Sequence, residues 1–250
     1  MLPLSDLVSN TRLQADISTT TSDWAASNLN LAQSFPVIDS HIHLWPASGS
    51  PFGRGYGIQD YLATSAGVDV PGFVFIETNR QVGTQADVTQ AAKQPLDEIK
   101  FLRRIVEGHP QDGDRFVANH SRLLLGMVPW APIDRGVKGF EEYMIEAEKA
   151  AGPLAWTRVK GFRYLLQSIR TKDQFSSLVL SDPVVEILRS FTAKGRNFIF
   201  EVGVDQRSGG VWQLETAADM IQKVRAGVEE AKKVTFILGK CTPRSIESMH

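Results

Sequence analysis

The chain has 250 residues, 42% hydrophobic and 22% charged, the balance of an ordinary globular protein long enough for one large domain or two small ones. Its 27 Lys and Arg against 28 Asp and Glu give a net charge of −1, which leaves neither the basic field of a nucleic-acid binder nor an acidic tail. Cys241 is the single cysteine, so neither an intramolecular disulfide nor a thiolate zinc cluster is available, and a reducing, cytoplasmic setting is expected.

Residues 1–34 are rich in Ser, Thr and Asn, carry Asp6, Asp16 and Asp23, and have no sustained apolar core. That composition argues against a secretory signal or a membrane span. The expectation is a loosely ordered extension, with Leu4, Leu7, Trp24, Leu29 and Leu31 available to dock it as short helices, ahead of one domain over 35–250.

The first strand signal is Pro36-Val37-Ile38-Asp39-Ser40-His41-Ile42-His43-Leu44-Trp45. Side chains at i and i+2 of a strand share a face, so His41 and His43 point together, with Asp39 on the same side to orient an imidazole. Val37, Ile38, Leu44 and Trp45 make this a buried strand. Two imidazoles on one face suit a shared metal ion or acid–base work near neutral pH.

Further strand signals are Gly72–Glu77, Leu123–Val128, Val159–Arg163, Asn197–Val202 and Val234–Leu238, several of them nearly unbroken apolar runs. Such runs mark parallel strands buried on both faces. Between them lie amphipathic helices. Pro95 opens one that carries Leu96, Ile99, Leu102 and Ile105 or Val106 and closes at Gly108. Ser181 or Asp182 caps another, with Pro183 in its first turn, Val184, Ile187, Leu188 and Phe191 inward, and Gly195 past its end. Phe140, Tyr143, Met144 and Ala147 form a third stripe, and Ala217, Met220, Ile221, Val224 and Val228 a fourth.

Strand starts near 36, 72, 123, 159, 197 and 234 lie about 36 to 51 residues apart, the spacing of βα units. A (β/α) barrel is the leading α/β fold and a doubly wound open sheet the runner-up. No Gly-x-Gly-x-x-Gly follows the first strand; Gly53, Gly55 and Gly57 sit in an aromatic loop with no helix start, against a dinucleotide site.

The segments Val37–Trp45, Gly72–Thr78 and Val159–Arg163, with Phe200–Gly210 and Trp212-Gln213-Leu214, resemble the amidohydrolase-related (amidohydrolase 2) family, in particular its fungal L-rhamnono-gamma-lactonase-like members. The resemblance implies a TIM-barrel-like fold of the metal-dependent-hydrolase superfamily, with the histidines of the first strand at the catalytic centre. It also implies hydrolysis of a small-molecule sugar lactone and a role in carbohydrate metabolism. On that basis, and from their places at strand ends, His41, His43 and Arg163 are the catalytic candidates and Glu77, Arg163 and Glu201 the substrate-binding ones, with Glu77 alternatively a proton acceptor, a support for His41 or a solvent-facing strand-end carboxylate. His41 and His43 are the ligands if a divalent metal such as zinc binds; without one, a histidine serves as base and Arg163 as electrophile. Arg163 in a structural ion pair with Glu77 or Glu201 is the bland alternative. His109 and His120 fall before the third strand, at the wrong end of a barrel strand for catalysis.

The family pattern continues past the sixth strand with a histidine and, at an eighth strand, an aspartate. This sequence reads Ile237-Leu238-Gly239-Lys240-Cys241-Thr242-Pro243 and stops at His250. Two further units would need roughly 80 more residues. The expectation is an incomplete barrel of about six of eight strands, truncated at its C-terminal side, with open edges that a second copy could cover. A non-catalytic relic, a partner-binding protein or another amidohydrolase-type hydrolase or decarboxylase are the alternatives.

Overall fold

The computed structural model describes residues 36–239 except 48, 49, 51, 194 and 206–208. The N-terminal extension read over 1–34 and the polar tail after Gly239 lie outside the described residues. Six parallel strands appear where the apolar runs place them: β1 (Ile38–Ile42), β2 (Gly72–Ile76), β3 (Leu124–Val128), β4 (Gly161–Tyr164), β5 (Ile199–Val202) and β6 (Thr235–Leu238). Between them run α1 (Ile58–Thr64), α2 (Val88–Ala91), α3 (Lys93–Glu107), α4 (Gly136–Trp156), α5 (Lys172–Val179), α6 (Asp182–Arg189) and α7 (Val211–Arg225).

The strands form two three-stranded sheets, β1-β2-β3 and β4-β5-β6. Backbone bonds stitch β3 to β4: the Met127 amide donates to the Arg158 carbonyl at 2.8 Å, and the Arg163 amide to the Pro129 carbonyl at 2.9 Å. The spatial order is therefore the chain order. A doubly wound sheet reverses its order at a switch point; this one does not, which removes the runner-up fold. The side chain of β1 His41 comes within 3.8 Å of Glu201 on β5, so the six strands curl into a barrel arc. Among the described residues the arc does not close.

The unbroken apolar runs have the predicted cause. Val74, Ile76, Val128, Ile199 and Ile237 line the concave interior, while the alternating Phe73, Phe75, Phe162 and Phe200 are fully buried in the helix layer. The Phe191 ring, just past α6, lies 5.9 Å from Phe162 and 6.0 Å from Phe200, knitting β4 and β5 to that helix.

The helices show the expected punctuation, with shifted ends. Gly108 closes α3 in a left-handed conformation at φ +71°, which costs glycine little. Pro95 sits in the third position of α3 rather than the first, still within the turn that needs no backbone donor. The Ser181 hydroxyl caps α6 by accepting the Val184 amide at 3.4 Å. Gly195 lies beyond a separate 3₁₀ turn at Ser190–Thr192, and Val228 falls outside α7.

One expectation fails at the edge. Val37 and Ile38 are not buried: Ile38 is 57% exposed, and Ile237 and Leu238 on β6 are 48% and 61% exposed. These apolar residues flank the opening of the arc, where no further strand covers them among the described residues.

Candidate active site

The C-terminal ends of parallel strands converge on one rim of the arc. There β1 supplies His41 and, one residue past its end, His43; Glu77 follows β2; Arg163 lies in β4 and Glu201 in β5. All five residues singled out in the sequence meet at this rim. The imidazoles of His41 and His43 stand edge to face with centroids 5.0 Å apart. The guanidinium Nε of Arg163 lies 2.7 Å from Glu201 Oε2 and 3.6 Å from Glu77 Oε1. The ion pair is thus a Glu–Arg–Glu bridge across β2, β4 and β5, and it adjoins the histidines.

Local backbone geometry explains the orientation of His43. Its Nδ1 is 2.9 Å from the Ile76 carbonyl oxygen, which can only accept, so Nδ1 carries the proton and Nε2 the lone pair. Burial holds the His43 pKa below its usual range, and the nearby Arg163 cation pushes the same way against the favourable Ile76 carbonyl. The imidazole is neutral at pH 7. The Asp39 carboxylate accepts from the backbone amide of His41 at 3.1 Å and from the Tyr61 hydroxyl at 3.3 Å, which ties it to the His41 backbone and to α1.

The carboxylates are buried to 1% and 2% exposure, and burial raises both the Glu77 and Glu201 pKa values against the pull of Arg163. Glu77 further accepts the Asn79 amide. Two glycines make room for the bridge. A Cβ on Gly203 would lie 2.6 Å from Arg163 Nη2, and one on Gly239 would overlap the Glu201 carboxylate. Sequence reasoning did not find these glycines; their only signal is the placement of each immediately after a strand.

Below the rim, a cavity of about 570 Å³ follows the interior, lined by His41, Val74, Val128, Ile199 and Glu201 and reaching Lys160 at the base of β4. A second cavity of about 280 Å³ lies on the rim between Asn79, Arg80, Trp130, Asp134 and Tyr164. His109 is exposed beside Glu107, and His120 sits in the 3₁₀ turn before β3, so neither joins the cluster.

A catalytic zinc takes three protein donors and leaves one position open. Among the described residues no group of three His, Cys, Asp or Glu has metal-binding spacing, and the cation between the two carboxylates is Arg163 itself. The described donor set offers two histidines and does not complete a zinc site.

This chain is 31% identical over 207 residues to an L-rhamnono-gamma-lactonase of Scheffersomyces stipitis, an alignment covering 76% of the chain. The chain is a relative of that lactonase. It spans 57% of the length of this relative. No family model matches the chain. Two solved structures align with it: an amidohydrolase from Burkholderia multivorans, at 18% identity and TM-score 0.49, covers 77% of this chain and 55% of its own. An amidohydrolase 2 from Bifidobacterium longum subsp. infantis aligns at 19% identity and TM-score 0.45, over 82% of this chain and 61% of its own. No helix among the described residues is long and apolar enough to cross a membrane.

Proposed function

We propose that this chain is a hydrolase of the amidohydrolase type that opens a sugar-acid lactone by attack of an activated water on its carbonyl carbon. What carries the reading is the neutral His43, its Nε2 lone pair free of the Ile76 hydrogen bond, beside the buried Arg163 cation. The similarity to a lactonase supplies the substrate class.

In this mechanism His43 Nε2 takes a proton from water as the oxygen attacks, and the Arg163 guanidinium faces the negative charge that develops on the former carbonyl oxygen. The ring C–O bond then breaks, and the His43 imidazolium returns its proton to the leaving alkoxide. His41 and the Glu201 carboxylate, which line the interior cavity, hold sugar hydroxyls, while Glu77, buried behind the rim, keeps Arg163 in place together with Glu201. If a divalent metal binds, His41 and His43 hold it, and it supplies Lewis acidity toward the carbonyl. No step above depends on it.

The test is acid release from a panel of aldonolactones by the purified chain, with His41→Ala and His43→Ala beside it. General-base catalysis is worth about 10²- to 10⁴-fold, so His43→Ala is expected to lose at least about a hundredfold in kcat/KM. Retained activity in both variants overturns the assignment. A folded wild-type chain with no turnover on any lactone favours a non-catalytic, partner-binding role.

A further inference from the structure

Helix α3 presents an inward stripe to the core, with Phe101, Leu102 and Ile105 all fully buried. Glu98 stands on that stripe at the i position of the i+3, i+4, i+7 set, and it too is 0% exposed. A carboxyl group in that place has a reason other than packing. Its Oε1 accepts the Thr78 hydroxyl, while Oε2 is buried with no hydrogen-bond partner.

Thr78 follows Glu77 directly. The next residue, Asn79, has φ +52°, a left-handed conformation uncommon outside glycine and maintained where surrounding structure enforces it. Its amide turns back to the Glu77 carboxylate. The segment from Glu77 to Arg80 is therefore gripped from two sides, by Glu98 behind it and by Glu77 in front. Asn79 and Arg80 then form one wall of the 280 Å³ rim cavity.

We infer that Glu98 is a positioning residue for this site: a carboxyl side chain buried in α3 that grips the β2 loop through Thr78 and so sets where Glu77 meets Arg163. The inference rests on the proposed lactonase site for its consequence, while its structural half is independent of any substrate. The groups facing Glu98 are Glu77, Thr78 and Arg80 from the β2 loop and Tyr143 from α4. Burial is the main influence on its proton and the Glu77 charge adds to it, against the Thr78 bonds and Arg80, so the pKa is pushed up to about 8 and Glu98 is neutral at pH 7. A neutral acid serves this grip better than an anion, because an unpartnered Oε2 costs far less uncharged.

Three variants of the full chain test it: Glu98→Gln, Glu98→Leu and Thr78→Val. A misplaced contact can cost about a hundredfold in rate, so Glu98→Leu and Thr78→Val are each expected to lose about ten- to a hundredfold in lactone kcat with KM little changed. Glu98→Gln keeps a neutral group that accepts from Thr78, and is expected to hold kcat within about threefold of wild type. The activity-independent readout is the amide NMR signals of Asn79 and Arg80 and the ring signals of His43. Glu98→Leu shifts all three and Glu98→Gln leaves them near wild type. If lactones are not turned over but these shifts appear, the lactonase reading fails and the positioning role stands. Wild-type signals and kcat in Glu98→Leu overturn the inference; so does a Glu98→Gln chain as impaired as Glu98→Leu, which would show that a charge is required.

Discussion

Replacing Arg163 by Met removes the cation that lies between two buried carboxylates. At an effective dielectric near 20, unit charges at the observed 2.7 and 3.6 Å attract by about 6 and 5 kcal/mol respectively, before the cost of burying all three groups is subtracted. The net loss for stranding a buried charge is about 3–5 kcal/mol, and it sets the expected destabilisation at pH 8. Protonation limits that loss. Burial already lifts the Glu77 and Glu201 pKa values above their unfolded ones, and losing Arg163 lifts them further. A carboxyl raised in the folded state favours folding below the unfolded pKa of about 4.3, and that advantage disappears as pH rises through the folded pKa. The deficit of Arg163→Met is therefore small near pH 5 and grows toward pH 8. Urea unfolding followed by circular dichroism at pH 5, 6.5 and 8 measures it. Adding Glu201→Gln to Arg163→Met is expected to recover about 2 kcal/mol at pH 8 by removing one stranded charge. A deficit under about 1 kcal/mol at pH 8, or one that does not change with pH, refutes the account of a tightly coupled buried bridge.

Two further outcomes are expected. NMR of the His43 ring should show a neutral imidazole with its proton on Nδ1 at pH 6.5, since burial and Arg163 both lower its pKa. Because the unfolded chain then binds the extra proton first, this residue's contribution to stability is full above about pH 6.5 and is lost as pH falls; a protonated ring at pH 6.5 contradicts it. Gly203→Ala pushes a methyl group to 2.6 Å from Arg163 Nη2 and is expected to cost about 1–3 kcal/mol, read by the same urea titration. Wild-type stability there would show that the guanidinium has room to move.

Much of this site is legible along the chain because strands obey a simple rule. A period of 2 puts His41 and His43 on one face, and a parallel strand's C-terminal end puts Glu77, Arg163 and Glu201 on one rim. The edge residues were harder. Val37 and Ile38 have the composition of a buried strand, yet whether a strand is covered depends on its neighbours in space, which periodicity does not encode. Glu98 had a signal, its i, i+3, i+4, i+7 relation to Phe101, Leu102 and Ile105, but a charged residue on an apolar face reads as solvated until its burial is seen.

Six parallel strands, four of the helices between them (α3, α4, α6 and α7) and a His-x-His strand end follow from local chemistry alone, because apolar period and turn residues act over a few positions. The choice of a barrel arc over a doubly wound sheet, which periodicity left open, and the pairing of Arg163 with Glu77 and Glu201 at once rather than with either one, came from the folded molecule. So did the selection of the His43 tautomer by the Ile76 carbonyl. That last pair is 33 positions apart in the chain, and the partners of the bridge are farther apart still. What brings them together is the curvature of the whole sheet and the burial it imposes.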